Sequence, residues 1–355
     1  MRDYLDQLRE TVASVVSNRL ATDSIPDASL DLVLWNALRD LDLIGLGASE
    51  SVGGSGGDLV DSVTVLEGLL SARVPYAEAT VIAAPALSES GIALPSGTFT
   101  AASGILQITQ GRLSGDLIAV PFARDCQTLV LLAIGTEPFL YLVSLHDSGV
   151  QIQARENLAG EARDTVTLSD VLPLEKAPLS IAAATAWELR AALSRVALSA
   201  GAAAAIVDQS AKYALERTQF GRPLMKFQVI QHGLAAMAAD ATAMQVASIS
   251  ATMALNDSPE TAGLMVAAAK AESAALVRRV TASAHQIHGA IGFTREHVLG
   301  SLTTRLWAWR EEHGNERFWY GRIAEIARGN NLWALITGTP ELSGTHSSQE
   351  RQSHE

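Results

Sequence analysis

Two short segments in the last third of the chain carry residue types suited to holding a phosphorylated ligand. The first is Arg217-Thr218-Gln219-Phe220-Gly221-Arg222-Pro223-Leu224, followed by Phe227-Gln228; the second is Gln286-Ile287-His288-Gly289-Ala290-Ile291-Gly292-Phe293-Thr294. Each joins a long Ala-rich stretch to a short loop with an Arg or a Gln and glycines. Arginine presents a fixed fork of donors that matches phosphate oxygens. Glycine lets the backbone approach a flat ligand closely. Together these loops suit a large phosphorylated cofactor. The Gly53-Gly54-Ser55-Gly56-Gly57 run has no Lys-Ser/Thr pair after it, so it reads as a turn between helices and not as a phosphate-binding loop. No metal-ligand spacing or nucleophile triad stands out.

Composition narrows the class. The chain has 355 residues, 48% of them hydrophobic, which is enough for two or three domains and a sizeable core. Its mean hydropathy is +0.18 and its pI about 5.1. A net charge of −12 argues against nucleic-acid binding, which needs clustered Lys and Arg. Cys126 is the single cysteine and has no cationic neighbour, so a structural role in a reducing compartment is expected. The first residues lack an apolar signal core, and no apolar run is read as approaching the ~20 residues of a membrane span. The expectation is a soluble, cytoplasmic protein with no membrane and no nucleic-acid partner.

The elements that must position the two loops follow from periodicity. Residues 1–96 read as a helical domain, with Leu5, Leu8, Val12 and Val15, then Leu30, Leu34, Leu38 and Leu41, at helical spacing. Residues 97–178 read as a domain of short strands forming an antiparallel sheet or barrel: Val120-Pro121-Phe122, Thr128–Leu132, Phe139–Val143, Val150–Gln153 and Thr165–Leu168. Gly104, Gly111, Gly115, Gly135 and Gly149 are read as turns between them. Residues 179–338 read as a helical bundle, with helices near 181–216, 226–255, 259–288, 296–312 and 314–328. The polar stretch 339–355 is expected to be disordered. The fold class is α+β.

This order of parts resembles the acyl-CoA dehydrogenase family over nearly the whole chain. Tyr213–Gly221 with Phe227-Gln228 resembles the family's first signature, and Gln286–Gly289 with Gly292-Phe293-Thr294 its second. Leu46–Glu50 with Gly53–Gly56 resembles the family's N-terminal loop. The resemblance implies FAD as cofactor and an acyl-CoA thioester as substrate, with α,β-desaturation as the reaction. It implies contacts to FAD from Arg217, Phe220 and Gln228, and from Gln286, Gly289 and Gly292 towards the FAD of a neighbouring subunit. It also implies a homotetramer or an α2β2 heterotetramer with a related subunit, and an electron-transfer flavoprotein as acceptor. His288 is read as a packed residue and not as a catalyst.

The chain departs from the family at the base. Counting forward from Gly292-Phe293 places His313 where the family has Glu, followed by Gly314 and Asn315; counting back from Arg217 places Ala191 at the alternative, helix-borne position. Three readings stay open. A nearby carboxylate, Glu188 or Glu312, substitutes; His313 is itself the base, as neutral imidazole allows; or the subunit lacks a base and works beside a partner that has one. A binding protein on this fold without flavin is a further alternative. The family's acidic-Pro-Gly-Ala-Gly-Ser-Asp run and its Trp-Ile-Thr/Ser strand are missing, with Val120-Pro121-Phe122-Ala123 in the comparable stretch. Arg190 or Arg195 is available for CoA phosphate.

Overall fold

The computed structural model describes residues 2–20, 29–293 and 298–328. The expected disordered stretch 339–355 lies outside them, as does Thr294. Four α-helices open the chain: α1 (Arg2–Leu20), α2 (Leu32–Asp40), α3 (Leu59–Glu67) and α4 (Ala84–Ser90). Asp31 caps α2 by accepting from the Leu34 N–H and also pairs with Arg19 at 2.9 Å. Asp58 and Asp61 close a reciprocal capping box on α3. The Gly53–Gly57 run is a plain connection, with Gly53 at φ 83° closing a short 3-10 turn. Directly before α4 the chain makes a π-helical turn, Ala77–Ala83, buried throughout.

The middle of the chain is two four-stranded sheets packed face to face. One orders β1 (Phe99–Gly104), β4 (Thr128–Ala133), β5 (Phe139–Ser144) and β8 (Glu175–Pro178). The other orders β2 (Gln107–Thr109), β3 (Arg112–Pro121), β7 (Arg163–Val171) and β6 (Val150–Gln153). The expected antiparallel pattern holds except at β1–β4, which is parallel with Phe99 opposite Thr128. The continuous apolar run of β4 has a clear reason. Leu129 and Leu131 face the space between the sheets, while Val130 and Leu132 face the helices. A strand buried on both faces needs no polar alternation. Cys126 lies in the inter-sheet core at 2% exposure. Gly115 is not a turn; it sits inside β3 at the first of two irregularities in the β3–β7 register. The second falls between Leu117 and Val120, and it turns Ile118 and Ala119 outwards.

The last part is a bundle of α5 (Ile181–Glu216), α6 (Gln228–Asp257), α7 (Pro259–His288), α8 (Val298–Glu311) and α9 (Glu316–Arg328). Between α5 and α6 the backbone forms a small hairpin of β9 (Thr218–Gln219) and β10 (Arg222–Pro223). The Ser180 hydroxyl caps α5 by accepting from the Ala183 N–H. α5 corrects one expectation: its 36 residues include a stretch apolar and long enough to cross a bilayer, but 72% of that stretch is buried inside the protein. Small alanines let α6, α7 and α8 close around it, and α5 also touches α3, α4 and the π-turn. It is the axle of the molecule, and its residues line both cavities of the site described next.

Candidate active site

Two cavities meet where the end of α8 approaches α5 and the sheets. The first, about 740 Å³, is walled by Ile82 of the π-turn, Ala101 of β1, Leu132 of β4 and Trp187 of α5, with Phe318 of α9. It is mostly apolar; its titratable groups are Glu188 and His313. The second, about 830 Å³, lies between the outward bulge of β3 (Ile118, Ala119, Pro121) and α8 (Trp307, Ala308), with Arg155, Arg163 and Arg195 along its wall. His313 lines both cavities. It follows the end of α8 in a left-handed conformation, φ 55°, which only a minority of non-glycine residues adopt. Its carbonyl accepts a hydrogen bond from Trp319 Nε1 at 2.9 Å. Lys270 of α7 donates from Nζ to the carbonyls of Trp309 and Arg310 at 3.0 and 2.9 Å, tying down the C-terminus of α8.

Behind His313 lies a buried network of three guanidinium groups and three carboxylates. Arg195 Nη2 donates to Glu78 Oε1 and Arg195 Nε to Glu312 Oε2, both at 2.6 Å. Arg163 Nε donates to Glu312 Oε1 at 2.9 Å, and Arg163 Nη2 to Glu161 Oε2 at 3.1 Å. Asn157 Nδ2 bridges Glu312 and Glu161 at 3.0 and 2.8 Å. Arg305 and Trp309 of α8 complete the shell of Glu161, each at 3.1 Å. Burial alone pushes the Glu312 carboxyl up, but Arg163 and Arg195 outweigh it and hold the group far below the usual carboxylate range. Burial also opposes ionisation of Glu161, and Arg163 with Arg305 again reverses the direction. The Lys270 ammonium is drawn down to about 8, by burial first and then by the charge of Arg195. His313 is pushed the same way for the same two reasons, burial and then Arg195. The residue is exposed and lines both cavities, and contact with water weakens the burial part of that shift.

The three base candidates are therefore placed very differently. Glu312 does not face the apolar cavity as a free base; it accepts from two guanidinium groups and an amide, and such a carboxylate has little proton affinity left. Glu188 stands half-exposed on the apolar cavity with Arg322 of α9 at 3.7 Å. His313 sits at the mouth between the cavities. Of the two arginines considered for an anion, Arg195 is fully engaged, while Arg190 has no hydrogen-bonding or ion-pair partner among the described residues. Reading the chain in order missed Glu78, Arg163, Glu161 and Asn157. The available signal was weak: a lone acidic residue in the apolar run Tyr76–Leu87, and Glu161 and Arg163 flanking an alanine.

The two glycine-bearing loops around Arg217 and Gln286 come together at the opposite end of α5. The Tyr213 ring stacks on His288 with centroids 4.5 Å apart, and its hydroxyl donates to the His288 carbonyl at 3.4 Å, which fixes the end of α5 against the end of α7. His288 is buried, with Nδ1 2.9 Å from the Ala284 carbonyl, in keeping with a packed residue. Arg217 caps α5 and projects from the surface; Phe220 forms the tip of the β9–β10 hairpin and is 88% exposed. Gln228 and Gln286 are exposed on the first turn of α6 and the last turn of α7, and Gly289 takes φ 62° between them and the following loop. Gly292 is enclosed: a Cβ there would come within 3.0 Å of Leu299 and 3.1 Å of His288. This end of α5 lies about 22 residues beyond Arg195, roughly 33 Å away at ~1.5 Å per residue.

Comparison with known proteins agrees with this layout. Residues 2–93 match the acyl-CoA dehydrogenase N-terminal domain, and residues 184–327 match the acyl-CoA dehydrogenase C-terminal domain. The chain is 28% identical over 317 residues to the acyl-CoA dehydrogenase IpdE2 of Mycolicibacterium smegmatis, covering 84% of this chain and 91% of that protein. Among solved structures, a Tcur3481–Tcur3483 steroid acyl-CoA dehydrogenase variant superposes with a TM-score of 0.81 at 26% identity, over 92% of this chain and 98% of that one. The ChsE4–ChsE5 complex of Mycobacterium tuberculosis superposes with a TM-score of 0.80 at 23% identity, over 95% and 98% of the two chains. The chain belongs to the acyl-CoA dehydrogenase family of flavin-dependent oxidoreductases.

Proposed function

We propose that the protein binds FAD and desaturates an acyl-CoA thioester between Cα and Cβ, with the acyl group in the apolar cavity and His313 as proton acceptor. The observation that carries this reading is the position of His313 at the mouth shared by an apolar cavity and a second, polar-rimmed one. Bound FAD would supply the hydride acceptor for the Cβ hydrogen. The second cavity suits a flat ring: its floor is the outward bulge of β3 and its far wall is Trp307, with three guanidinium groups along one rim. In this arrangement the neutral imidazole takes the Cα proton on a ring nitrogen; burial and Arg195 lower its proton affinity, while the adjacent Glu312 carboxylate opposes them and favours the imidazolium that forms. Glu188, on the same cavity, is the second acceptor within the site. Arg217, Phe220 and Gln228, with Gln286, Gly289 and Gly292, would hold the diphosphate and adenine half of the cofactor.

These six residues lie on the loops at the far end of α5, roughly 33 Å along that helix from Arg195, which supports an assembly in which each cofactor is shared by two chains. The surface of α6 agrees. From Gln228 to Asn256 its single carboxylate, Asp240, is buried and bound to Arg279 at 2.9 Å, and its outward residues include Val246, Ile249 and Met253. A long helical face of this kind, without charge, is suited to burial against another chain. The related partner need not be identical. Ala191 offers no carboxylate, and Glu188 has Arg322 beside it, so a heterotetramer whose other subunit carries the base is the second reading.

The test is an absorption spectrum of the protein purified alone, followed by acyl-CoA without oxygen. Flavin bands that bleach on substrate support a complete site in this chain. Bands that stay until a related subunit is added support the second reading. A protein that takes up no flavin, alone or with a related subunit, overturns both.

A further inference from the structure

The network behind His313 joins all three parts of the chain. Glu78 comes from the π-turn, Arg195 from α5, Arg163 from β7, Asn157 from the loop after β6, and Glu312 from the residue after α8. Glu312 is the node, since Arg195, Arg163 and Asn157 all donate to its carboxylate. The next residue is His313, in its left-handed conformation. A non-glycine residue in that region costs of order 1–3 kcal/mol and persists only where the surroundings over-determine it. Here they do. Lys270 holds the last carbonyls of α8, Trp319 holds the carbonyl of His313, and the Glu312 side chain is pinned on the network side. Drawing the side chain of residue 312 inwards leaves that of residue 313 facing the mouth of the two cavities.

We propose that Glu312 is a positioning residue: clamped by Arg163, Arg195 and Asn157, it fixes the backbone turn that presents the His313 ring to both cavities. This rests on the reading that His313 meets the substrate, but it concerns the placement of the ring and can be tested without turnover. The charged groups acting on the ring are Arg195 of α5, Lys270 of α7, Arg163 of β7 and Glu312 at the end of α8; Glu188 of α5, Arg155 and Glu156 of the loop after β6, and Glu311 share the cavities it lines. Arg322 of α9 stands behind Glu188. Positioning and charge act in opposite directions when Glu312 is neutralised. Loss of its negative charge alone disfavours the imidazolium and lowers the titration midpoint of His313 further. Loss of the clamp lets the ring move away from Arg195, Lys270 and Arg163, whose charges oppose the imidazolium, and raises the midpoint towards the ordinary value near ~6.5.

The experiment is a pH titration of the full chain labelled on its 8 histidines, followed by NMR, with His313 assigned from His313→Gln. Glu312→Gln is compared with wild type, and Glu312→Asp serves as the conservative rescue. A midpoint that rises towards ~6.5 in Glu312→Gln, and returns part of the way in Glu312→Asp, supports the clamp. A midpoint that is unchanged or lower, in a variant with wild-type circular dichroism, overturns it. If Glu312→Gln does not fold, Asn157→Ala removes one clamp donor without changing charge; a smaller rise is expected, and an unchanged midpoint again overturns the proposal. Turnover of His313→Gln separates the two ideas. A fall of at least ~100-fold, the ordinary size of an acid-base contribution, supports the proton-acceptor role. Full turnover removes that role while leaving the clamp to be judged by the titration.

Discussion

Replacing Arg195 with Met tests whether the buried network holds the three parts of the molecule together. Methionine keeps most of the aliphatic stem and removes the guanidinium. Arg195 is 2% exposed and bonds Glu78 and Glu312 at 2.6 Å each. Without it Glu312 retains Arg163 and Asn157, but Glu78 keeps no ion pair among the described residues. Removing one member of a buried ion pair costs about 3–5 kcal/mol, because the remaining charge is left desolvated. For 355 residues at ~2.1 cal/mol/K each, the unfolding entropy is roughly 0.75 kcal/mol/K, so the expected fall in Tm is about 4–7 °C. The assay is thermal unfolding followed by circular dichroism and tryptophan fluorescence at pH 7.5. The double variant Glu78→Gln/Arg195→Met removes both charges and should recover about 1–3 kcal/mol of the loss. A single variant that melts within 1 °C of wild type, or a double variant no better than the single, would refute the reasoning.

Two other outcomes follow from the same region. Gly314→Ala places a Cβ 2.5 Å from the Phe318 ring and 2.7 Å from Trp319 Nε1, at φ 91°. It should displace the mouth residues and lower turnover at least ~10-fold, with a stability loss of roughly 1–2 kcal/mol from the left-handed backbone alone; wild-type turnover would show that Gly314 has no such constraint. The carboxyl of Glu312 is held far below its ordinary value in the folded protein, so its contribution to stability is complete above pH ~4.3 and is lost as pH falls further. Urea midpoints measured from pH 6 down to pH 3 should fall more steeply for wild type than for Glu312→Gln, and parallel curves would contradict the assignment.

The bundle was legible because its signals are local. The Ala-rich stretch read near 181–216 coincides with α5, Ile181–Glu216, without reference to anything distant; the Ser180 cap that starts it went unread. The sheets were legible only in part. Thr128–Leu132 and Phe139–Val143 announce themselves by continuous apolar character. Phe99–Gly104 does not, because its Thr, Ala, Ser and Gly residues carry little strand preference and its parallel partner β4 lies beyond two intervening strands. The site divided in the same way. The loops around Arg217 and Gln286 could be read as short contiguous motifs. The fate of Glu312 could not, since its partners Arg195, Arg163 and Asn157 stand 117, 149 and 155 positions away in the chain. A carboxylate next to a histidine looks like a base until the fold delivers two guanidinium groups to it.

The burial of Cys126 has a practical consequence. It is the single thiol of the chain, it lies in the inter-sheet core, and burial first, with Asp125 adding to it, pushes its pKa well above the ordinary value. It should ignore maleimides while the protein is folded. The natural sequence is therefore close to a cysteine-free background, and a cysteine introduced at the exposed hairpin tip in place of Phe220 would be the one reactive site. A dye placed there would report when the hairpin is covered by another chain, and energy transfer between two such dyes would give the spacing of the hairpins in an assembly.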